Sequence, residues 1–207
     1  MARVRSLLGD IEGSAGQMTF TKRNGINIMR QKVGSNGSNT FAQRSIRARF
    51  AELAIAYSKM PVAIQRGFLK EGAQTSYNRF IGANFKNTTA DSDAVGSILY
   101  PALILSAGSV LGVANLVATA SANSVSFAFA NNANGTEGLP TDKITVVVIE
   151  KATGATYTIQ GAARSASLQV LAVPGLTAAN KANYAAYAFF TRADGADSST
   201  TSYVALV

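Results

Sequence analysis

The stretch "KITVVVIE", Lys143–Glu150, holds six consecutive β-branched residues between a lysine and a glutamate. Successive strand residues point to opposite sides, so a run this uniform is apolar on both faces. It predicts a central strand. Seven further segments between Ile98 and the C-terminus read as short strands: "YPALILS", "GVANLVATA", "SVSFAFA", "TYTIQ", "SLQVLA", "YAAYAFF" and "TSYVALV". "SVSFAFA" alternates cleanly, with Val125, Phe127 and Phe129 facing inward. Turn clusters such as "NNANGTEGLPTD", "KATGA" and "RADGADSST" separate the strands. Many short strands at this spacing predict an antiparallel β-sandwich with Greek-key connections. No Cys-Trp-Cys pattern is present, so the expectation is an immunoglobulin-like sandwich in general, over residues 93–207.

Upstream the period changes to that of helices. "TFAQRSIRARFAELAIAYSK" places Ile46, Phe50, Leu53 and Tyr57 on one stripe. Arg47 and Arg49 flank this stripe and Arg44 lies nearly opposite, at about 100° per residue. Pro61 starts a second helix, which Gly67 ends or bends, and "TSYNRFIGANFKN" gives a third. Before them, "MTFTKRNGINIMRQK", Met18–Lys32, sets Asn24-Gly25 between two alternating runs, the mark of a β-hairpin. A two-residue type I′ turn would pair Arg23 with Ile26, putting Met18, Phe20 and Met29 on one face but Ile26 and Ile28 on the other. A type I turn with a G1 bulge at Gly25 would pair Lys22 with Ile26 and gather Met18, Phe20, Ile26 and Ile28 on one face. Only the second gives a one-sided apolar ribbon, so it is the expected register. The fold class read from the sequence is therefore α+β: an N-terminal β-hairpin plus about three helices over residues 1–92, then the sandwich over 93–207.

Composition prunes the chemistry. The chain of 207 residues has no Cys, His or Trp, which excludes thiol nucleophiles, Ser-His-Asp triads and His- or Cys-ligated zinc. Walker A and dinucleotide-binding patterns are absent. "DSD" at Asp91–Asp93 and "NNANGTEG" at Asn131–Gly138 could suggest a cation site, but neither has EF-hand spacing. The expectation is a non-enzymatic protein with no cofactor, no metal and no small-molecule substrate. "MARVRSLLGDIEGSAG" lacks the apolar core of roughly 7–15 residues that a signal peptide needs. "ILYPALILSAGSVLGVANLVATA" is long enough to cross a bilayer, but Pro101, Gly108, Gly112 and Asn115 interrupt it, so it reads as strands and no membrane span is expected.

Net charge is +8 and unevenly spread, with 14 Lys and Arg against 4 Asp and Glu up to residue 90, and 5 against 7 beyond it. A basic half seeks an anionic or protein partner. The candidate contact residues are Arg3, Arg5, Lys22, Arg23, Arg30, Lys32, Arg44, Arg47 and Arg49. Phe20, Phe50 and Phe80 fall on expected core faces, so aromatic stacking platforms for nucleic acid are not interleaved with these cations.

The succession "GSAGQMTFTKRNGINIMRQKV", "NTFAQRSIRARFAELA", "GFLKEGAQTSYNRFIGANFKN" and "YPALILSAGSV" resembles an uncharacterised family from Bacteroidota and their phages and prophages, over nearly the whole chain. The family's "K-x-G-x-x-x-x-R" hairpin is matched by Lys22 or Arg23, Gly25 and Arg30. Its "Q-R-x-x-F" helix is matched loosely by Gln43, Arg44 and Ile46–Phe50. Its "TDK-x-x-x-V-V" is matched by Thr141, Asp142, Lys143, Val147 and Val148. The resemblance implies a non-enzymatic component encoded by phage or prophage-like elements. The leading expectation is a virion structural protein (minor capsid, neck or tail), assembled in the bacterial host cytoplasm as a homo-oligomer among other virion proteins. The alternatives are a nucleic-acid-binding accessory protein using the basic half, and a surface adhesin or glycan-binding module using the sandwich loops.

Overall fold

Asn24 and Gly25 both adopt positive φ, 50° and 75°, and this pair sets the register of the first sheet. A computed structural model of the chain describes residues 2–4, 12–34 and 37–207, the first three by backbone alone. The chain divides into two compact units, Met1–Thr40 and Phe41–Val207. The first is a four-stranded antiparallel sheet of β1 (Ala2–Val4), β2 (Gly13–Ala15), β3 (Met18–Arg23) and β4 (Ile26–Gln31), in the order β1-β4-β3-β2. Arg23 pairs with Ile26, Lys22 with Asn27 and Phe20 with Met29.

This corrects the expected G1-bulge register. The turn is the two-residue type I′, whose twist matches the strands and whose two positive-φ positions suit Asn followed by Gly. Residues paired across the strands share a face, so Met18, Phe20 and Met29 lie on one side while Ile26 and Ile28 lie on the other. Collecting the apolar residues on one side would bring no gain here, because no residue of 12–34 or 37–40 is buried. Local turn chemistry therefore decides the pairing.

The second unit begins with α1 (Phe41–Lys59), α2 (Pro61–Gly67) and α3 (Ser76–Asn84), followed by a small ladder of β5 (Thr88–Ala90) and β6 (Gly96–Ile98). Pro61 opens α2, and Thr75 caps α3 by accepting the N–H of Asn78. Seven strands follow: β7 (Ala114–Ser121), β8 (Ser124–Ala130), β9 (Lys143–Glu150), β10 (Thr156–Ala163), β11 (Leu168–Ala172), β12 (Tyr184–Thr191) and β13 (Ser202–Val204). They form two sheets, β11-β8-β7 and β10-β9-β12-β13. The chain crosses between sheets at β8–β9, β10–β11 and β11–β12, an immunoglobulin-like Greek key. After β13 the C-terminus returns to the other sheet, where Val207 N–H donates to the Ala118 carbonyl.

β9 is the central strand its sequence predicts, and it is covered twice. Ile144, Val146 and Val148 join Val125, Phe127, Phe129, Ala186, Ala188 and Phe190 in the core between the sheets. Val147 and Ile149, with Ala185, Tyr187 and Phe189 of β12, pack on Leu53, Met60, Ile64, Phe68 and Phe80 from the helices. The unit is thus three layers: helices, four-stranded sheet, three-stranded sheet. Each large side chain buried there stabilises the fold by about 1.5–3 kcal/mol. The helices and the sandwich share a core, so the expected division between residues 92 and 93 is not where the chain divides.

Two further expectations change. In α1, Leu53 is fully buried, but Ile46 and Phe50 of the same stripe are 47% and 46% exposed. The first half of the helix lies on the β5–β6 ladder, where Gly96 meets the Ala48 carbonyl. That ladder's small side chains offer little apolar cover, and Phe85 alone stacks on Phe50, at 4.8 Å. "YPALILS" is a short 3-10 turn at Tyr100–Ala102 and then extended chain outside any named strand. Side chains take the place of a neighbouring strand. Asn84, fully buried, donates to the Ile104 carbonyl (2.7 Å) and accepts the Ile104 N–H (2.7 Å). Thr201 Oγ1 accepts the N–H groups of Leu105 and Ser106 at 2.8 and 2.7 Å. Gly67 allows the segment to approach α2, since a Cβ there would stand 2.1 Å from the Leu105 carbonyl oxygen. Among the described residues no helix is long and apolar enough to cross a membrane.

Replacing Asn84 by Ala strips partners from the half-buried N–H and C=O of Ile104. A loss of about 2 kcal/mol is expected from urea unfolding, at the low end of about 1–3 kcal/mol per orphaned group because water reaches part of the site. A loss below about 0.5 kcal/mol would mean that the carboxamide does not replace a strand.

Candidate functional site

The nine cations expected to meet a partner are divided between the two units. Arg5 lies outside the described residues, and Arg3 stands in β1 opposite Ile28. Lys22, Arg23, Arg30 and Lys32 are exposed. Because the register is the type I′ one, Arg23 and Arg30 share the face of Ile26 and Ile28, while Lys22 shares that of Phe20 and Met29. Both faces of the first sheet therefore mix apolar and basic groups. In the second unit Arg44 and Arg47 are exposed on α1. Arg49 is used internally. Its guanidinium donates to Thr88 Oγ1 (3.1 Å) and to the Phe85 carbonyl, and stacks 4.2 Å from the centre of the Phe85 ring. It ties α1 to the turn before β5.

The strongest electrostatic feature lies at the start of β9. Asp142 and Arg164 are both fully buried, with Arg164 Nη2 3.2 Å from Asp142 Oδ2. Arg164 also donates to Asn132 and to the Leu111 carbonyl, and lies 3.8 Å over the Phe190 ring. Asp142 accepts the Leu139 N–H (2.8 Å) and is reached on its other oxygen by Arg192 at 3.5 Å. Burial pulls the Arg164 pKa down, and the bond and charge of Asp142 work against that shift. This cluster locks the loop before β9 to the turn before β11. Asp142 was visible beforehand only inside "TDK"; its signal is an acid at the mouth of a two-sided apolar strand.

Two clefts open on the second unit. One, of about 140 Å³, lies between α1 and the 151–154 turn and includes Glu52, Lys59, Tyr100 and Lys151. Lys59 donates to the Thr153 carbonyl and Tyr100 to that of Lys151, so both hold the turn in place. Burial, then the nearby Glu52, raises the Tyr100 pKa. The other cleft, about 360 Å³, lies between α2 and the end of β12, with Arg66, Lys143, Arg192 and Asp194 on its walls. Sequence reading passed over this group because its members are scattered along 130 residues and only the sandwich brings them together.

The loops considered for a cation turn their oxygens onto their own backbone. Asp91 Oδ1 accepts from Asp93 and Val95, and Asn134 Oδ1 from Thr136 and Gly138. Among the described residues no three His, Cys, Asp or Glu side chains converge. Asp197 is different. Burial opposes its charge, but bonds from Ser109 and from the Ser198 and Ser109 N–H groups, helped by Arg192, hold its carboxyl below the usual range.

The chain belongs to the family described as "Family of unknown function (DUF6266)", whose model matches residues 10–205. No curated protein and no solved structure gives a match.

Two outcomes are expected from the ionic groups. Asp142→Ala leaves Arg164 buried without its counter-charge and should cost about 3–5 kcal/mol in urea unfolding; a near-neutral effect would contradict the pairing. Asp197, with a lowered folded pKa, contributes stability that is present above the ordinary carboxylate pKa of about 3.9 and is lost as pH falls through the lowered value. Asp197→Asn should flatten that acid slope in stability measured from pH 5 down to pH 2, and an unchanged slope would exclude the assignment.

Proposed function

We propose that the protein is a non-enzymatic virion structural protein, a minor capsid, neck or tail component that makes subunit–subunit contacts through its N-terminal sheet. The observation that carries this reading is that the sheet has four strands and apolar residues on both faces, yet none of residues 12–34 or 37–40 is buried. A sheet with no buried residue among those described gains stability by being covered. With Phe20 and Met29 on one side and Ile26 and Ile28 on the other, it is suited to lie between two surfaces of an assembly. Arg23, Arg30 and Lys22 would fix its orientation on a less basic neighbour such as the sandwich of a second copy, where residues 91–207 hold 5 Lys and Arg against 7 Asp and Glu. The placement in a virion rests on the resemblance to proteins of phages and prophages. Nucleic-acid binding draws less support, because Arg49 is engaged internally and the remaining cations belong to two units.

Sedimentation velocity should find the wild-type chain in multimers. Phe20→Asp and Ile28→Asp should each give monomers, with unfolding of the second unit shifted by no more than about 0.5 kcal/mol. Mass spectrometry of purified particles should detect the protein. A chain that stays monomeric at all concentrations and is missing from particles would overturn the proposal.

A further inference from the structure

The larger cleft of the second unit has an unbalanced charge. Arg66 comes from the end of α2, Lys143 from the first residue of β9, Arg192 from just past β12, and Asp194 from the turn that follows. The Arg66 and Lys143 side chains make no hydrogen bond or ion pair among the described residues. Arg192 is held in place, donating to the Thr136 carbonyl at 2.7 Å and reaching Asp142 at 3.5 Å. Asp142, however, is already matched by the fully buried Arg164 at the shorter distance of 3.2 Å. One carboxylate between two guanidiniums leaves Arg192 only partly matched there, and its charge also acts on Asp197. Asp194 spends one oxygen on the Ala196 N–H and supplies the single negative charge on the cleft wall. Three cations against one carboxylate line a space of about 360 Å³, and the cations stay in excess even when Asp197, which Arg192 helps to hold ionised, is counted beside Asp194.

Val62 and Leu69 contribute apolar wall, which weakens the screening of those charges by water. Guanidiniums match the oxygens of a phosphate group with paired N–H donors, and a lysine adds a compact point charge. A phosphodiester carries one negative charge, a phosphomonoester close to two at neutral pH. The latter offers three terminal oxygens and the larger charge to the three cations, where a diester offers two oxygens. We propose that this cleft binds a phosphate dianion, free or as a monoester, gripped by Arg66 and Lys143 and oriented by the fixed Arg192.

The test is calorimetric titration of the full chain with N-acetyl-O-phosphoserine amide and, separately, with inorganic phosphate, at constant ionic strength. The chain has no His and no Cys side chain, so between pH 5.5 and 7.5 the main titrating group is the ligand, and the phosphoserine probe's second pKa is about 6. Binding of the phosphoserine probe should be roughly fourfold tighter at pH 7.5 than at pH 5.5, following its dianion fraction, and that of inorganic phosphate, with its higher second pKa, should rise more steeply. Arg66→Gln and Lys143→Gln, each at a surface position, should each weaken it about tenfold or more. Saturable binding of either probe supports the site, and the tighter of the two identifies the source. The proposal fails if neither probe binds, if the two variants bind like wild type, or if an oligonucleotide without a terminal phosphate binds equally well. Arg66→Gln should leave the sedimentation profile unchanged, which separates failure of this site from failure of the assembly reading.

Discussion

The structure of residues 41–207 depends on the pair β9 and β12 being buried on both faces. Val147, Ile149, Tyr187 and Phe189 close the helical side while Ile144, Val146, Val148 and Phe190 close the other. Such a pair cannot be exposed on either side without leaving several large apolar groups in water. The helices have no other core to join, and the three-stranded sheet has no other partner. Small residues make the double cover possible: Ala185, Ala186 and Ala188 of β12 are all buried and let both layers come close. Tyr187 keeps its hydroxyl satisfied by donating to the Tyr100 carbonyl at 2.7 Å, and its burial raises its pKa. This constraint is why helices and sandwich form one body.

Around that middle layer, polar groups replace missing regular structure. Asn84 and Thr201 act as a neighbouring strand for residues 104–106, and Ser198 Oγ bonds the Gly67 carbonyl where α2 ends. Asp142 and Arg164 anchor the loops beside β9, at a desolvation cost that only their mutual contact and the surrounding bonds offset. These inlays fix loop positions tightly. They also help set the walls of the larger cleft, because Arg192 is held by the Thr136 carbonyl and reaches Asp142.

Much of this was legible in the residues, and the exceptions have physical causes. Seven of the eight strands expected from period and turn chemistry are present, and Val125, Phe127 and Phe129 point inward as their alternation implied. "YPALILS" has strand composition but sits where side chains, not a strand, supply its partners; no local pattern announces Asn84, 20 residues away. The hairpin register was misread because a one-sided ribbon was assumed to have a core to face, whereas Asn24-Gly25 alone decided it. The division after residue 92 followed a change of period, which marks secondary structure and says nothing about which layers share a core. Of the contact residues, Arg49 is engaged internally, which its place beside an apolar stripe does not reveal, since such a cation can be solvated or stacked on a ring and only Phe85 distinguishes the two. Arg66, Lys143 and Arg192 are brought together by topology and carry no shared motif.

The two units therefore differ in kind. The larger is layered and dense, with many of its polar groups holding loops; the smaller is a sheet in which β3 and β4 are half-buried at most, apolar and basic on both sides. Native-state hydrogen exchange on the dilute monomer tests this division most directly. Amides of α1–α3, β9 and β12 should share one high opening free energy, with those of Met18–Gln31 exchanging far faster. Helical amides that open independently of β9 and β12, or a first sheet as protected as the second unit, would contradict it.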